Sequence, residues 1–443
     1  MKILFVIDMY DCATNGTTVS ARTFMKELRA RGHEVVFIAA SEKEEEFKFC
    51  VPPWKLWFVK RIMEKQGAMF ARVDRAVIAE ALEGVDIVHT FLPFKLSQVV
   101  NEMAKEKGIP VVAAFHCQPE NITYSFWPLR IIPGITSIIY NRFKRLYYRH
   151  VKDIHCPSRF IADELTKHGY KARMHVISNG VADMFTPGPA NRPEEWGDKF
   201  VIACVGRFAP EKKQETLIKA VAASKYRDKI KLVFCGMGQL DDHLKSLAKA
   251  RKVDASFGFY SRDKLLNILR SSDLYVQPSV AEIECIACIE AFSTGLVPII
   301  ADSKLSATRQ FAIDKRSLFR TGKYKELARK IEYFMERPEE VKELSAKYIE
   351  KGREYPLSKS VGQIEEVYGA MLREKAEEMQ KAKECHCEEG LARRSNPEKM
   401  QKEENWNKEE CGMHAYGVGE CCCEDCAFGM DEQPELIGEV PAF

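Results

Sequence analysis

The stretch SVAEIECIACIEAFSTGLVPIIAD, Ser279–Asp302, decides the fold. An apolar run, Asp273-Leu-Tyr-Val-Gln277, leads into it, and a second, Val297-Pro-Ile-Ile-Ala301, closes it. Short runs of this β-branched and aromatic content read as buried strands. Between them Ile283, Ile286, Ala287, Ile289, Ala291 and Phe292 give helical spacing, and Gly295 stands where a helix stops. Strand, loop, helix, strand is the unit of a parallel sheet. The spacing predicts a helix opened by Glu284, Cys285 and Ile286, whose free N–H groups and positive helix end suit an anion such as a diphosphate. Glu282 precedes this helix and Glu290 lies in it, eight positions later. Taken alone, such a pair is also a common solvated helix face.

Working outward, the same unit recurs. Phe200-Val-Ile-Ala-Cys-Val205 reads as a strand and runs into Gly206-Arg207-Phe-Ala-Pro-Glu-Lys212-Lys213. An Arg and a Lys five positions apart in a strand-to-helix loop can clamp a diphosphate, one bidentate and one as a point charge. Lys231–Cys235 with Gly236-Met-Gly238 gives a further strand and glycine loop. In the first half Ile3–Ile7, His33–Ile38, Asp86–Phe91, Ile109–Phe115, Asp153–Pro157 and Met174–Ile177 read as strands, with helices predicted over Thr18–Ala30, Leu96–Lys107 and Arg159–Lys167. Gly16 lies in the first strand-to-helix loop, where backbone can approach a ligand closely or merely turn. No G-x-G-x-x-G follows a strand, which argues against a dehydrogenase. His116, Glu120 and Asn121 follow Phe115, at the strand ends where open α/β sheets hold ligands. They can hydrogen-bond sugar hydroxyls, and Glu120 can serve as a base.

At 443 residues the chain exceeds one ordinary core. Domains are expected over 1–185 and 186–356, with the linker in the Pro-rich run Thr186–Pro193 and a low-complexity tail over 376–443. No 18-residue apolar run is present, so no membrane-spanning helix is expected. Of the 15 cysteines, those of the body lie singly, as reduced thiols of a cytosolic protein do. Cys385, Cys387, Cys411, Cys421, Cys422, Cys423 and Cys426 fall in the tail, where irregular spacing favours disorder over a zinc site. The net charge of +3 hides an asymmetry: residues from Lys381 onward hold 7 basic and 15 acidic groups, leaving +11 on the body and +6 on residues 1–185. The first half therefore suits an anionic partner.

That charge is concentrated. Between Glu120 and Asp153 there is no carboxylate, while Arg130, Arg142, Lys144, Arg145, Arg149 and Lys152 alternate with Tyr124, Phe126, Trp127, Tyr140, Phe143, Tyr147 and Tyr148. Arg142, Arg145, Arg149 and Lys152 keep helical spacing on one stripe; Ile135, Ile139, Phe143 and Leu146 share another. Trp54, Trp57, Lys60 and Arg61 repeat the mixture. Cations beside aromatic side chains suit an anionic bilayer, at about 1 kcal/mol per Lys or Arg near the surface. An ordinary core helix with a solvated basic face is the alternative. No nucleic-acid-binding signature accompanies the pattern, so no nucleic acid partner is expected.

Together Pro278-Ser279, Glu282-x7-Glu290, Gly295-x-x-Pro298 and Gly206-Arg-x-x-x-Glu-Lys212 resemble the donor-site motifs of retaining GT-B glycosyltransferases of family four. The resemblance covers roughly residues 1–375. It implies two doubly wound Rossmann-like domains facing across a cleft, with a crossing helix over 357–375 completing the first. It also implies that Glu290 holds the nucleotide ribose, that Arg207 and Lys212 neutralise the leaving diphosphate, and that Glu282 and His116 lie at the donor sugar. Gly16, Gly206, Gly236, Glu284, Cys285 and Ile286 complete the implied donor site, with no metal and no cofactor. The family's usual glycines are replaced by Thr17 and Cys285. Glu-Ile-Glu284 and the Gln-Pro-Glu-Asn121 loop look most like bacterial glycolipid synthases that glucosylate diacylglycerol. The expected activity is transfer of a hexose, glucose in those synthases, from a nucleotide diphosphate sugar to a lipid hydroxyl, at the inner face of the cell membrane. A soluble or glycan acceptor, or an inactive sugar-nucleotide sensor or scaffold, are the alternatives.

Overall fold

The computed structural model describes residues 1–11, 16–41, 45–54 and 70–394, apart from the side chains of Trp127 and of residues 384–394. The chain divides into two compact units, Met1–Ala376 and Glu377–Phe443. Of the second, only the helical run to Arg394 is described.

The first unit is built on two parallel sheets. In the first, β1 (Lys2–Val6), β2 (Glu34–Ala40), β3 (Lys48–Val51), β4 (Ile87–Thr90), β5 (Val111–Ala114), β6 (Asp153–Cys156) and β7 (Arg173–Val176) stand in the order 3-2-1-4-5-6-7. In the second, β8 (Phe200–Val205), β9 (Ile230–Cys235), β10 (Ala255–Gly258), β11 (Leu274–Gln277), β13 (Pro298–Asp302) and β15 (Leu318–Arg320) stand in the order 10-9-8-11-13-15. A two-residue pair, β12 (Ala281–Glu282) with β14 (Leu305–Ser306), lies apart. Both faces of each sheet are covered, so the central strands are apolar throughout rather than alternating. Ile3, Leu4, Phe5 and Val6 are all buried, and so are Val201, Ile202, Ala203 and Cys204.

Strand order reverses between β1 and β4 in the first sheet and between β8 and β11 in the second. Such points open the crevices where doubly wound sheets bind ligands. Asp8 follows β1, Gly206 follows β8, and Gln277 ends β11.

The chain crosses between the sheets twice, at one place. Val181 pairs with Pro356; its N–H donates to the Tyr355 carbonyl at 2.9 Å and its carbonyl accepts from Leu357 N–H at 3.0 Å. The helix Leu357–Arg394 then returns to the first sheet, where Leu357, Val361, Ile364, Val367, Tyr368 and Met371 pack on Ile3, Phe5 and Phe91. Leu357, Val361, Ile364, Tyr368 and Met371 recur every three or four residues, one face of a helix, with Val367 beside it.

Among the elements the sequence reading did not anticipate are β3, of only four residues, and the helix Arg75–Ala81. The crossing helix also runs past the expected 357–375, because Lys375-Ala-Glu-Glu-Met-Gln-Lys-Ala is an unbroken series of strong helix formers. Trp57 and the tail cysteines from Cys411 on lie outside the described residues, as do the side chains of Cys385 and Cys387.

The crossing depends on Gly180. Its φ is +70°, and a Cβ there would meet Leu357 Cα at 2.7 Å and Ser360 Oγ at 2.9 Å. Gly32 has φ +87° but open space around it. Gly32→Ala is therefore expected to cost only the left-handed backbone, about 1 kcal/mol, while Gly180→Ala adds a backbone collision and costs on the order of 2–4 kcal/mol. Urea denaturation of both variants measures the difference; equal midpoints would show that the crossing yields without cost.

Candidate active site

The site is assembled from the loops after β8, β11 and β5. The loop after β8 turns at Gly206, whose φ of +145° favours glycine. A Cβ on Gly236 would stand 2.1 Å from the Gly206 carbonyl oxygen, so the two glycine loops touch backbone to backbone. Arg207 Nη2 donates to Glu211 Oε1 at 3.0 Å, and the Arg207 carbonyl accepts from Gln214 Nε2 at 2.9 Å. Glu211 is fully buried, and its carbonyl accepts from Val280 N–H at 2.8 Å, fixing this loop to the one after β11.

The centre of the arrangement is an ion pair. Lys212 Nζ lies 2.6 Å from Glu282 Oε1, and Gln277 Nε2 donates to the same oxygen at 2.9 Å. Gln277 also reaches Ser279 Oγ at 2.6 Å and accepts from the Tyr275 hydroxyl at 2.5 Å. Burial is the largest influence and would lower the Lys212 ammonium, but Glu282, Cys285 and Glu211 together outweigh it and the group sits above its ordinary value. The pair offers an anionic ligand a cation already held in place.

The helix opens later than its spacing suggested, at Ile286. Cys285 has φ +83° and ψ 72°, a left-handed conformation that cannot be helical, and it acts as the N-cap. Glu284 faces away from the helix start: Oε2 accepts from Asn179 N–H at 3.0 Å and from Asn179 Nδ2 at 2.6 Å. It thus joins the second sheet's loop to the first half of the chain rather than lying open to a donor. Glu290 is buried inside the helix, with Arg262 Nη1 at 2.6 Å from Oε1. Burial raises its pKa, and Arg262 offsets this in part.

From the first sheet, His116, Cys117 and Gln118 project past β5. Gln118 Nε2 donates to the Leu305 carbonyl at 3.0 Å, and Lys213 stands over the Tyr124 ring at 5.8 Å. Burial drives Cys117 up to about 12, tempered by the Arg207 guanidinium, which is thus within electrostatic range of this loop. His116 is buried, and burial with His155 beside it lowers its pKa to about 3, so the ring is neutral. Glu120 accepts from the Tyr140 hydroxyl at 3.3 Å, and burial raises its pKa. Asn121 Oδ1 is buried without a partner among the described residues. Gly16 is the first residue of the helix Gly16–Ala30, and residues 12–15 before it are not described.

The expected residues therefore fall into three groups. Lys212, Glu282 and Cys285 are mutually engaged, with Gln277 bonded to Glu282 and with Arg207, Gly206 and Gly236 in the adjoining loops. Glu290 and Ile286 belong to the helix that follows. His116, Glu120 and Asn121 come from the opposite sheet, which Gln118 ties to the second. Gln277, Arg262, Gln118 and Asn179 were missed; Gln277, a lone polar residue ending an apolar strand, carried the one usable signal. Among the described residues no group of three His, Cys, Asp or Glu could hold a metal ion.

The basic stretch differs from its sequence reading. The helix Ile135–Leu146 buries Tyr140 and Phe143 but leaves Ile138 and Leu146 exposed. Arg142 and Arg145 are exposed on it, whereas Arg149 and Lys152 lie beyond its end, so the four do not form one helical stripe. Lys144 is occupied, donating to the His168 carbonyl at 2.6 Å.

Comparison with known proteins agrees with this architecture. Residues 190–355 match the family model of Glycosyl transferases group 1, and residues 14–183 that of Glycosyltransferase Family 4. The chain is 26% identical over 326 residues to Streptococcus pneumoniae alpha-monoglucosyldiacylglycerol synthase, covering 68% of this chain and 71% of that protein. It is also 26% identical over 319 residues to a GDP-mannose-dependent alpha-mannosyltransferase of Corynebacterium glutamicum, covering 68% and 72%. The crystal structure of Anabaena HepE in complex with UDP-glucose superposes with a TM-score of 0.65 at 17% identity, covering 84% of this chain and all of that one.

The buried carboxyl groups make stability depend on pH. Burial raises Glu284 from 4.5 to about 7 and Asp8 from 3.8 to about 7. Groups whose pKa is higher in the folded state stabilise fully below the unfolded value, and that contribution is lost as pH rises through the folded one. Stability is therefore expected to fall between about pH 4.5 and 7. Glu284→Gln keeps an oxygen for Asn179 without the charge, and should remove roughly 2–3 kcal/mol of that fall. Urea midpoints at half-unit steps of pH test this; an unaltered slope would mean Glu284 is already ionised in the fold at low cost.

Proposed function

The chain belongs to the family-four, group-one glycosyltransferases, and from that premise we propose that it transfers a hexose from a nucleotide diphosphate sugar to the hydroxyl of a membrane lipid, diacylglycerol being the leading candidate. Being a glycosyltransferase, it uses a nucleotide-sugar donor and an acceptor; glucose and a diacylglycerol-type acceptor are the finer reading. The likeness to alpha-monoglucosyldiacylglycerol synthase supports that reading.

The single observation that carries the reaction is the Lys212–Glu282 pair at 2.6 Å, with Arg207 in the same loop. In the proposed site Arg207 and Lys212 face the departing diphosphate, supplying positive charge where negative charge develops. The free N–H groups at Ile286 add the positive end of a helix. Glu282 holds Lys212 and meets the donor sugar, Glu290 accepts from the ribose once Arg262 yields, and neutral His116 hydrogen-bonds the sugar from the opposite sheet. Retention of configuration and independence from metal go with this family reading. The enzyme is placed at the cytoplasmic face of the membrane in the same proposal.

Arg207→Ala should lower kcat/KM by about 2–4 kcal/mol of transition-state stabilisation, with thermal melting as a control for Glu211 losing its partner. Turnover at the native level would remove Arg207 from the site. A screen of nucleotide sugars against diacylglycerol and soluble acceptors in anionic vesicles decides donor and acceptor.

The lipid reading rests on the surface around Arg142. Ile131 and Ile138 are 67% and 59% exposed, beside exposed Arg130, Arg142 and Arg145, and Trp54 is half exposed. Such apolar side chains set among cations suit insertion at a charged interface. Among the described residues no helix is long and apolar enough to cross a membrane. Reversing Arg142, Arg145 and Arg149 to Glu removes three attractions and adds three repulsions, at about 1 kcal/mol each. Cosedimentation with anionic vesicles should fall sharply, and wild-type binding should weaken with salt. Donor hydrolysis in solution should stay near normal, because the second sheet is untouched. Equal binding of wild type to neutral and anionic vesicles would favour a soluble or glycan acceptor.

A further inference from the structure

Three histidines lie together inside the first sheet's core: His89 on β4, His116 just past β5 and His155 on β6. All are buried. His116 meets His155 edge to face, with ring centroids 5.8 Å apart, and His155 lies 5.6 Å from His89. Phe91 is stacked against His89 at 4.5 Å and against His116 at 5.8 Å, with interplanar angles of 20° and 13°. The rings therefore form one packed block, so a tilt of one is passed to the next.

Each flank of the block is hydrogen-bonded to a segment that leads to one of the two chain crossings between the sheets. On one side His155 Nε2 lies 2.9 Å from the Ile177 carbonyl. A carbonyl only accepts, so Nε2 is the protonated nitrogen. Ile177 stands just before Asn179, which binds Glu284 of the second sheet's loop, and Gly180, where the crossing begins. On the other side the Tyr368 hydroxyl is 2.6 Å from His89 Nδ1. Tyr368 lies on the helix that starts at Leu357, the residue hydrogen-bonded to Val181 at the second crossing.

We propose that Tyr368 and His155 are positioning residues that set the His116 imidazole, each relaying the state of one interdomain crossing, so that His116 is oriented by closure of the two sheets on the donor. Tyr368 acts through His89 and Phe91; His155 acts directly. The shared orientation explains why buried histidines, rather than aliphatic residues, fill this part of the core. Ring nitrogens carry direction, which apolar packing lacks. The inference rests on the reading that His116 contacts the donor sugar.

A double-mutant cycle separates the two. Tyr368→Phe removes one oxygen and keeps the packed ring. In an otherwise native enzyme it should lower kcat about tenfold while donor KM stays within about twofold, since orientation rather than binding is lost. In a His116→Ala background the same substitution should cost less than about twofold, because nothing remains to be positioned. His155→Asn, read in the same two backgrounds, serves if Tyr368→Phe lowers the melting temperature. An equal loss in both backgrounds would overturn the inference and leave the site reading intact. Native turnover by His116→Ala alone would overturn the site reading, and the inference with it.

Discussion

A lysine and a glutamate on different loops, 2.6 Å apart, hold the second sheet's active edge together. Lys212 follows β8 and Glu282 follows β11, the two strands at which strand order reverses. Both side chains are largely withdrawn from water. Removing one partner of a buried pair strands the other charge and typically costs 3–5 kcal/mol, so neither loop can drift without the other. Gln277 donates to the same Glu282 oxygen and is itself held by Tyr275 and Ser279. This edge of the second sheet is therefore braced by a closed set of polar contacts. In the proposed site, such bracing would lower the reorganisation needed when charge develops on a leaving diphosphate.

The same edge is fastened to the first sheet by backbone as much as by side chains. Asn179 contributes its N–H and its amide to Glu284, and Gln118 and Ser158 donate to the carbonyls of Leu305 and Ile283. Asn179 adjoins Gly180, where the chain must pass close to Leu357. A crossing built from two antagonistic demands, close approach and freedom to turn, concentrates movement at a few residues. Glu284 is placed to feel it: its carboxyl is uncharged over most of the acid range because burial outweighs the Asn179 hydrogen bonds.

What the sequence disclosed follows from what leaves a local trace. Buried parallel strands are written as apolar runs, so Phe200–Val205 coincided with β8 residue for residue. Glycines that permit contact were visible at Gly206 and Gly236, though not what they touched. Lys212 and Glu282 stood out as charged residues at strand ends, but their pairing spans 70 positions and leaves no local pattern. Arg262 and Asn179 were invisible for the same reason: each looks like a surface residue until its partner, Glu290 or Glu284, is placed. β3 was missed because four residues after an acidic run give too little periodicity to weigh. The basic stretch misled in the opposite sense. Its spacing continued past Leu146, but the helix did not, because aromatic Tyr147 and Tyr148 turn inward and Tyr148 reaches the Ala114 carbonyl at 3.0 Å.

Cys285 shows how a departure in residue type can leave a site's geometry intact. The resemblance to family-four chains implies a glycine where this sequence has cysteine, and a left-handed turn is the conformation that glycine adopts most readily. Here the turn persists, at φ +83°, with a side chain on it. A left-handed L-residue costs on the order of 1–2 kcal/mol, which the surroundings must supply. Burial raises the Cys285 thiol well above its usual pKa, and Glu282 acts in the same direction, so it stays neutral beside the Lys212–Glu282 pair. A neutral, polarizable group there adds packing without adding charge beside the pair. The substitution therefore adds a side chain before the helix while the left-handed turn that starts it is kept.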